Sequence, residues 1–318
     1  MNGIIIKAIS GFYYVSDGEK TYECKARGSF RESGVSPLVG DRAEFEITEE
    51  QKGVVTAVLP RKNLLSRPPV ANIDKLFIVS SYENPAPNAY IIDKLTALAE
   101  YKEIEPIIVF NKCDMGGFQK WEGIYKKAGF RVYTVSAESG EGIDPLKSEL
   151  KDCISAFTGN SGVGKSSILN VLFGDLKLET GAVSEKLGRG RHTTRHTELF
   201  SLPDGGFVAD TPGFSSLECE CNDYSFKENL VYCFRDLGEY ADSCRFTTCT
   251  HTVEKGCNII KAVEKGEISE IRHPFTVLAL MPSERLRVRE RACLIRSVCA
   301  MRRLFLPLRE ARRTISRL

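Results

Sequence analysis

Gly159-Asn160-Ser161-Gly162-Val163-Gly164-Lys165-Ser166 sets a glycine, four residues and then Gly-Lys-Ser between an apolar stretch and the helical pattern Ile168-Leu169-Asn170-Val171-Leu172-Phe173. That spacing suits a polyphosphate. The glycines let successive backbone N–H groups curl around a phosphate at a helix start, where the helix dipole also favours an anion. Lys165 is then placed for the β- and γ-phosphates and the Ser166 hydroxyl for Mg²⁺, with Ser167 next in the same cradle.

A second motif selects the base. Asn111-Lys112-Cys113-Asp114 follows the apolar run Pro106–Phe110, so these side chains fall at the carboxyl end of a buried strand, where open α/β sheets bind ligands. Asp114 is suited to accept from the N1–H and exocyclic amine of guanine, while Lys112 covers the base plane with its alkyl stem. Adenine offers no matching donors and would leave the carboxylate unpaired. Ser136-Ala137 with Gly140, at another strand end, is expected to turn backbone N–H groups toward the guanine oxygen. An Asn-Lys-x-Asp tetrapeptide alone is common in polar loops. Two such strand ends together with a phosphate loop specify GTP and GDP.

The γ-phosphate sensor is expected at Asp210-Thr211-Pro212-Gly213, after the short strand Gly206–Ala209. Asp210 would hold Mg²⁺ through water, and the Gly213 N–H would meet the γ-phosphate. Between the phosphate loop and this sensor lies Gly188-Arg189-Gly190-Arg191-His192-Thr193-Thr194-Arg195, from which Thr193 or, preferably, Thr194 completes the Mg²⁺ shell. Many GTPases carry a Gln after the sensor glycine to orient the attacking water; here that position is Phe214, which cannot. His192 is the nearest group with suitable chemistry, against the plainer reading of a solvated loop histidine. Slow intrinsic turnover, raised by a partner that orders this loop, follows.

Cys244-x4-Cys249-x-His251-x5-Cys257 supplies three thiolates and an imidazole within 14 residues, enough for one closed, structural Zn²⁺ site that organises a small loop-rich unit. Buried cysteines without a metal are the alternative. Cys219, Cys221 and Cys233 compete as ligands, although one residue between Cys219 and Cys221 makes an awkward bite.

These residues need a scaffold. The first 65 residues alternate β-rich runs (Ile4–Ile6, Phe12–Val15, Thr21–Cys24, Glu44–Ile47, Gly53–Val55) with turn signals, which predicts a closed oligonucleotide-binding-type β-barrel rather than a β unit used only for packing. Arg61 to Pro69, with paired prolines, reads as a linker. Beyond it, strands at Lys75–Ser80, Pro106–Phe110, Arg131–Val135 and Ile154–Phe157 alternate with helices at Ala89–Lys102, Gly123–Ala128 and Ile143–Cys153, which predicts an α/β doubly wound parallel sheet. With 42% hydrophobic and 27% charged residues and no apolar run of about 18, the chain reads as cytoplasmic with no membrane partner. Net charge is only +2, yet from Arg272 onward there are 12 Arg, no Lys and 3 acidic residues. That tail is either a nucleic-acid-binding arm or a change of coding register.

In chain order, the guanine motif, Ser-Ala motif, phosphate loop, Gly-Arg-Gly-Arg-His-Thr-Thr loop, Asp-Thr-Pro-Gly and Cys/His cluster closely resemble the circularly permuted ribosome-small-subunit-dependent GTPase A family (RsgA, also called YjeQ or YloQ), over residues 1–272. The resemblance implies an OB-fold barrel at 1–67, a circularly permuted GTPase domain at 68–218 and a zinc-binding domain with the Arg-rich tail at 219–318. It also implies a protein that binds the small (30S) ribosomal subunit and its rRNA and hydrolyses GTP late in that subunit's maturation, stimulated by the subunit; a monomer is expected. It strengthens His192, since the family's hydrolysis-linked histidine precedes its Thr-Thr pair. An RNA-binding assembly factor that uses GTP as a structural ligand is the alternative. After Arg272 the chain departs from the family pattern, with His273-Pro274-Phe275 where relatives carry a Tyr- and Glu-containing helix. Because the chain leaves the GTPase fold just after Gly213, the γ-phosphate sensor is tied covalently to the Cys/His unit.

Overall fold

The computed structural model describes residues 1–28, 30, 36–66, 68–174, 197–203, 205–210, 230–247, 249, 251 and 254–272. The chain divides into two units, residues 1–239 and 240–318.

The first unit begins with β1 (Asn2–Ile9), β2 (Phe12–Ser16), β3 (Thr21–Ala26), β4 (Arg42–Glu49) and β5 (Lys52–Val58). Their order is β1-β2-β3-β5-β4, and β1 also pairs with β4, so the sheet closes on itself as a five-stranded barrel. β3 and β5 run parallel and the other neighbours antiparallel. Alternation drives the closure: β4 buries Ala43 and Phe45 while Arg42, Glu44 and Glu46 face out. The inward residues Ile5, Val15, Tyr22, Cys24, Ala43, Phe45 and Val55 make one apolar core.

The stretch expected to be a linker is instead folded. β6 (Leu64–Ser66) and β7 (Pro69–Ala71) pair as an antiparallel hairpin. Pro69 opens β7 at the strand's first position, where a missing N–H is tolerated. Around this hairpin Asn63 Nδ2 donates to Ile73 O and Asn63 Oδ1 accepts from Ile73 N, while Asn72 Nδ2 donates to Gly40 O. Arg61 grips the fully buried Asp41 carboxylate with two N–H donors at 2.7 and 2.8 Å.

The α/β region follows as β8 (Lys75–Ser81), α1 (Ala89–Tyr101), β9 (Glu105–Asn111), α2 (Gln119–Lys127), β10 (Arg131–Val135), α3 (Ile143–Glu149), β11 (Ile154–Thr158), α4 (Lys165–Leu172), β12 (Glu198–Ser201) and β13 (Phe207–Asp210). Strands lie in the order β10-β9-β8-β11-β13-β12. All neighbours are parallel except β12, an unanticipated strand that runs antiparallel to β13 and touches the barrel through Lys7 paired with Glu198. α1 starts where the Asn88 side chain accepts from Tyr90 N and buries Ile92, Leu95 and Leu98. α3 ends at Glu149, a turn earlier than expected, before Asp152 takes a left-handed conformation at φ 55°. Strand order reverses between β8 and β11, which opens a crevice at their carboxyl ends.

In the second unit, α5 (Asn258–Glu264) buries Ile259 and Ala262. Among the described residues no helix is long and apolar enough to cross a membrane.

Candidate functional site

The phosphate loop joins β11 to α4 at that crevice. Gly159 sits at φ 137°, and a Cβ there would fall 2.1 Å from Val79 O; Gly164, at φ 92°, leaves room for the Asn111 amide, 2.2 Å from where a Cβ would be. Both glycines are thus demanded by backbone shape and close approach. Lys165 Nζ donates to Gly159 O and Asn160 O, both at 2.8 Å, so the ammonium arches over its own loop. Burial lowers its pKa.

Asn111, at the end of β9, is buried and links two loops. Its Nδ2 donates to Val163 O at 2.9 Å, and its Oδ1 accepts from Ala137 N at 3.1 Å. Lys112, left-handed at φ 66°, turns the chain so that Asp114 follows in a short 3-10 helix, and Lys112 Nζ donates to Glu83 O at 3.3 Å. Burial, with the Glu141 and Asp114 charges, pushes the Cys113 thiol up. A cavity of about 410 Å³ is lined by Asn111, Lys112, Asp114, Met115, Ser136, Ala137, Glu138, Gly162, Gly164 and Ser167. Phosphate loop and base motif therefore share one hollow.

The Ser136 loop differs in detail from its expected role. The amides of Ser136, Ala137 and Gly140 donate to Glu141 O, Asn111 Oδ1 and Ser136 O. The buried Ser136 hydroxyl accepts from Glu138 N and Ser139 N. A tight turn at a strand end must satisfy its own donors, so Ser136 and Ala137 enter the hollow as wall rather than as aimed N–H groups. Asn160, Ser161 and Ser166 complete the loop, but His192, Thr193, Thr194, Gly213 and the Asp210 side chain lie outside the described residues, as do Cys219, Cys221 and the tail from 273.

Sequence reasoning missed Met115, Glu138 and the backbone of Glu83. The carboxyl-end rule that located Asn111 would have found the segment after β8, since Tyr82 N donates to Asn111 O. It also missed Arg235, which donates to Glu105 Oε2 and Gly129 O, pairs with Glu100 and lies over the Phe130 ring, fixing residues 230–239 of the first unit to α1 and β9.

In the second unit the donor atoms of Cys244, Cys249, His251 and Cys257 all lie within 4.8 Å of one another. His251 Nδ1 is 3.6 Å from Cys244 Sγ and 3.5 Å from Cys257 Sγ. Burial pushes the Cys249 thiol up to about 12 and raises Cys257 as well. Three thiols and an imidazole gathered this closely offer one divalent ion four donors, so this cluster can bind a metal. Cys233 is buried in the first unit, its thiol pushed up to about 11.

Comparison with known proteins bears on both sites. The family models for the RsgA N-terminal domain and the RsgA GTPase match residues 2–55 and 58–220. A small ribosomal subunit biogenesis GTPase RsgA of Caldanaerobacter subterraneus is 45% identical over 276 residues, 86% of this chain and 92% of that protein. One from Bacillus cereus is 44% identical, covering 85% and 93%. Among solved structures, YjeQ from Thermotoga maritima aligns with a TM-score of 0.76 at 36% identity, over 88% of this chain and 96% of its own. YloQ, a circularly permuted GTPase, aligns with 0.71 at 34% identity, over 88% and 93%.

Proposed function

Because the chain belongs to the RsgA GTPase family and is a GTPase of small-ribosomal-subunit biogenesis, we propose that it couples hydrolysis in the Asn111–Lys165 hollow to docking on the subunit's rRNA. The observation that carries this reading is the double hydrogen bond of Asn111, which ties base pocket to phosphate loop. A base gripped at Asp114 then has its phosphates delivered to the loop by geometry alone.

In this reading Asp114 accepts from guanine N1–H and its exocyclic amine, Lys112 covers the ring, and Ser136 and Ala137 wall the pocket. The amides from Gly159 to Ser167 cradle the phosphates. Lys165 leaves the carbonyls of Gly159 and Asn160 for the more highly charged γ-phosphate. Ser166, Thr194 and Asp210 would hold Mg²⁺, which neutralises charge developing on the phosphates. Gly213 N–H meets the γ-phosphate, and His192 orients the attacking water. Cys244, Cys249, His251 and Cys257 hold zinc, the ion that such a soft, compact donor set prefers. The domains run 1–67, 68–218 and 219–318, and the protein works as a cytoplasmic monomer.

The test is GTP turnover with and without purified small ribosomal subunits. Stimulation by the subunit is expected, and equal turnover would overturn the coupling. Asp114→Asn should move preference from GTP to the xanthosine nucleotide; unchanged GTP preference would remove Asp114 from the base pocket.

A further inference from the structure

Two residues between the first two metal ligands are not used by either site. Arg245 and Phe246 are both exposed, and Phe246 keeps 48% of its surface open, unusual for a large apolar side chain. The Arg245 guanidinium lies over the Phe246 ring, 5.5 Å from its centroid. That placement is built rather than incidental. Arg245 N donates to Gly256 O at 3.3 Å, and a Cβ at Gly256, whose φ is 93°, would stand 3.1 Å from Arg245 Cβ. The arginine stem therefore rests on a glycine surface. On the other side, Phe246 O accepts from Cys249 N at 3.2 Å, so the backbone of the pair is held by Gly256 on one flank and by Cys249 on the other. Lys255, exposed and next to Gly256, adds a second cation on the adjoining segment.

We propose that Arg245 and Phe246 form a stacking platform for an unpaired RNA base, with Arg245 and Lys255 meeting the flanking phosphates. An exposed aromatic ring under a guanidinium, with a second exposed cation on the adjoining segment, suits single-stranded nucleic acid, whose bases all present a π-face and whose backbone carries the opposite charge. An apolar protein partner would not call for the guanidinium on the ring. The inference rests on the rRNA-docking reading above and names one place where an unpaired nucleotide is held.

The experiment uses the full zinc-loaded chain and a fluorescein-labelled single-stranded oligoadenylate, read by anisotropy beside a duplex of equal length and purified small subunits. Phe246→Ala and Phe246→Leu should each weaken single-strand binding about tenfold, the loss of one stacked base. Both should leave duplex binding as it was. Phe246→Trp should bind as tightly as the parent, with its indole emission quenched by the oligonucleotide. Absence of single-strand binding by the parent chain, or equal affinity of all four proteins, would overturn the platform. So would a Leu variant that binds like the parent while Ala does not, since that pattern marks an apolar protein contact. Failure of the parent chain to bind small subunits would instead overturn the docking reading itself.

Discussion

The two sites are assembled in opposite ways. The nucleotide hollow is built across the sheet: Asn111 reaches 52 residues along the chain to Val163 and 26 to Ala137. The metal cluster is drawn from the 14 residues between Cys244 and Cys257. Among its described residues that unit offers few buried apolar side chains, chiefly Cys257, Ile259, Ala262 and Ile268, whereas the α/β region stacks Phe77, Val79, Ile107, Val109, Phe157 and Ile168 into a continuous core. The difference is one of cause. Apolar burial holds the nucleotide site in shape before any ligand arrives, while the described part of the Cys/His unit has little such burial, so an ion held there would supply much of its stability.

Metal removal tests that contrast with the largest effect. Structural zinc contributes about 10–16 kcal/mol of apparent binding free energy in small domains, so a strong chelator should abolish hydrogen-exchange protection from residue 244 to 268. Nucleotide affinity and protection in residues 75–172 should persist. A parallel loss in both regions would show that the units depend on one another.

Asn111→Ala is the reciprocal experiment. It removes two buried hydrogen bonds, together about 3 kcal/mol, which corresponds to GTP binding weaker by about 100-fold. Zinc content should stay at one ion per chain. Nucleotide affinity within a few-fold of the parent would mean that the phosphate loop and the Ser136 turn hold their positions without the tie.

Acid should separate the two regions by mechanism. Glu149, in the first unit, receives Lys75 Nζ at 2.8 Å, Arg131 Nη1 at 2.7 Å and Tyr133 OH at 2.7 Å. Burial pushes its carboxyl up, but the Lys75 and Tyr133 hydrogen bonds and the Lys75 and Arg131 charges outweigh that and hold it below the ordinary 4.5. A carboxyl depressed in the folded state stabilises fully above its unfolded value and stops doing so as pH falls through the folded one. Glu149→Gln should therefore cost the first unit about 2 kcal/mol at neutral pH, with the gap to the parent closing below pH 4.5 in denaturant titrations. A gap that stays constant through the acid range would remove Glu149's charge from the explanation. The Cys/His unit should respond differently, because protons would compete with an ion held there for the three thiolates and His251.

Residues that act in short spans could be read directly from the chain. The glycines of the phosphate loop, Asn111 through Asp114 and the four metal ligands each lie in one local run, and runs of apolar residues placed β8, β9, β10 and β11. What escaped depends on distant partners. β12 carries only Leu199 as a buried residue among four, and its pairing with β13 and β1 is a property of the finished sheet. The hairpin around Pro69 reads as a linker in the sequence because its stabilisers act over distance: Asn63 reaches Ile73, and Asn72 accepts from Lys62 N and donates to Gly40 O. The sequence does not show that Glu141 O and Asn111 Oδ1 accept from the amides of Ser136 and Ala137, because both pairings are made by the folded turn.

The smallest effect belongs to the seam where β1 meets β12. Lys7 Nζ lies 2.8 Å from Glu198 Oε2, with both side chains about one-third exposed, and such a pair contributes about 0.5 kcal/mol and is screened by salt. Lys7→Ala should move the thermal midpoint of the first unit by no more than a degree or two, since roughly 1 kcal/mol shifts a domain of this size by about 2–4 °C. A buried pair should matter more: Asp41→Ala would strand the Arg61 guanidinium, which that carboxylate holds above its ordinary pKa, mainly through their hydrogen bond. If Lys7→Ala instead loosened the barrel from the sheet by hydrogen exchange at β1, a surface pair would be setting long-range geometry. Unit 1 would then owe its shape to single contacts, as the metal unit does to its ligands, and the distinction between the two regions would fall.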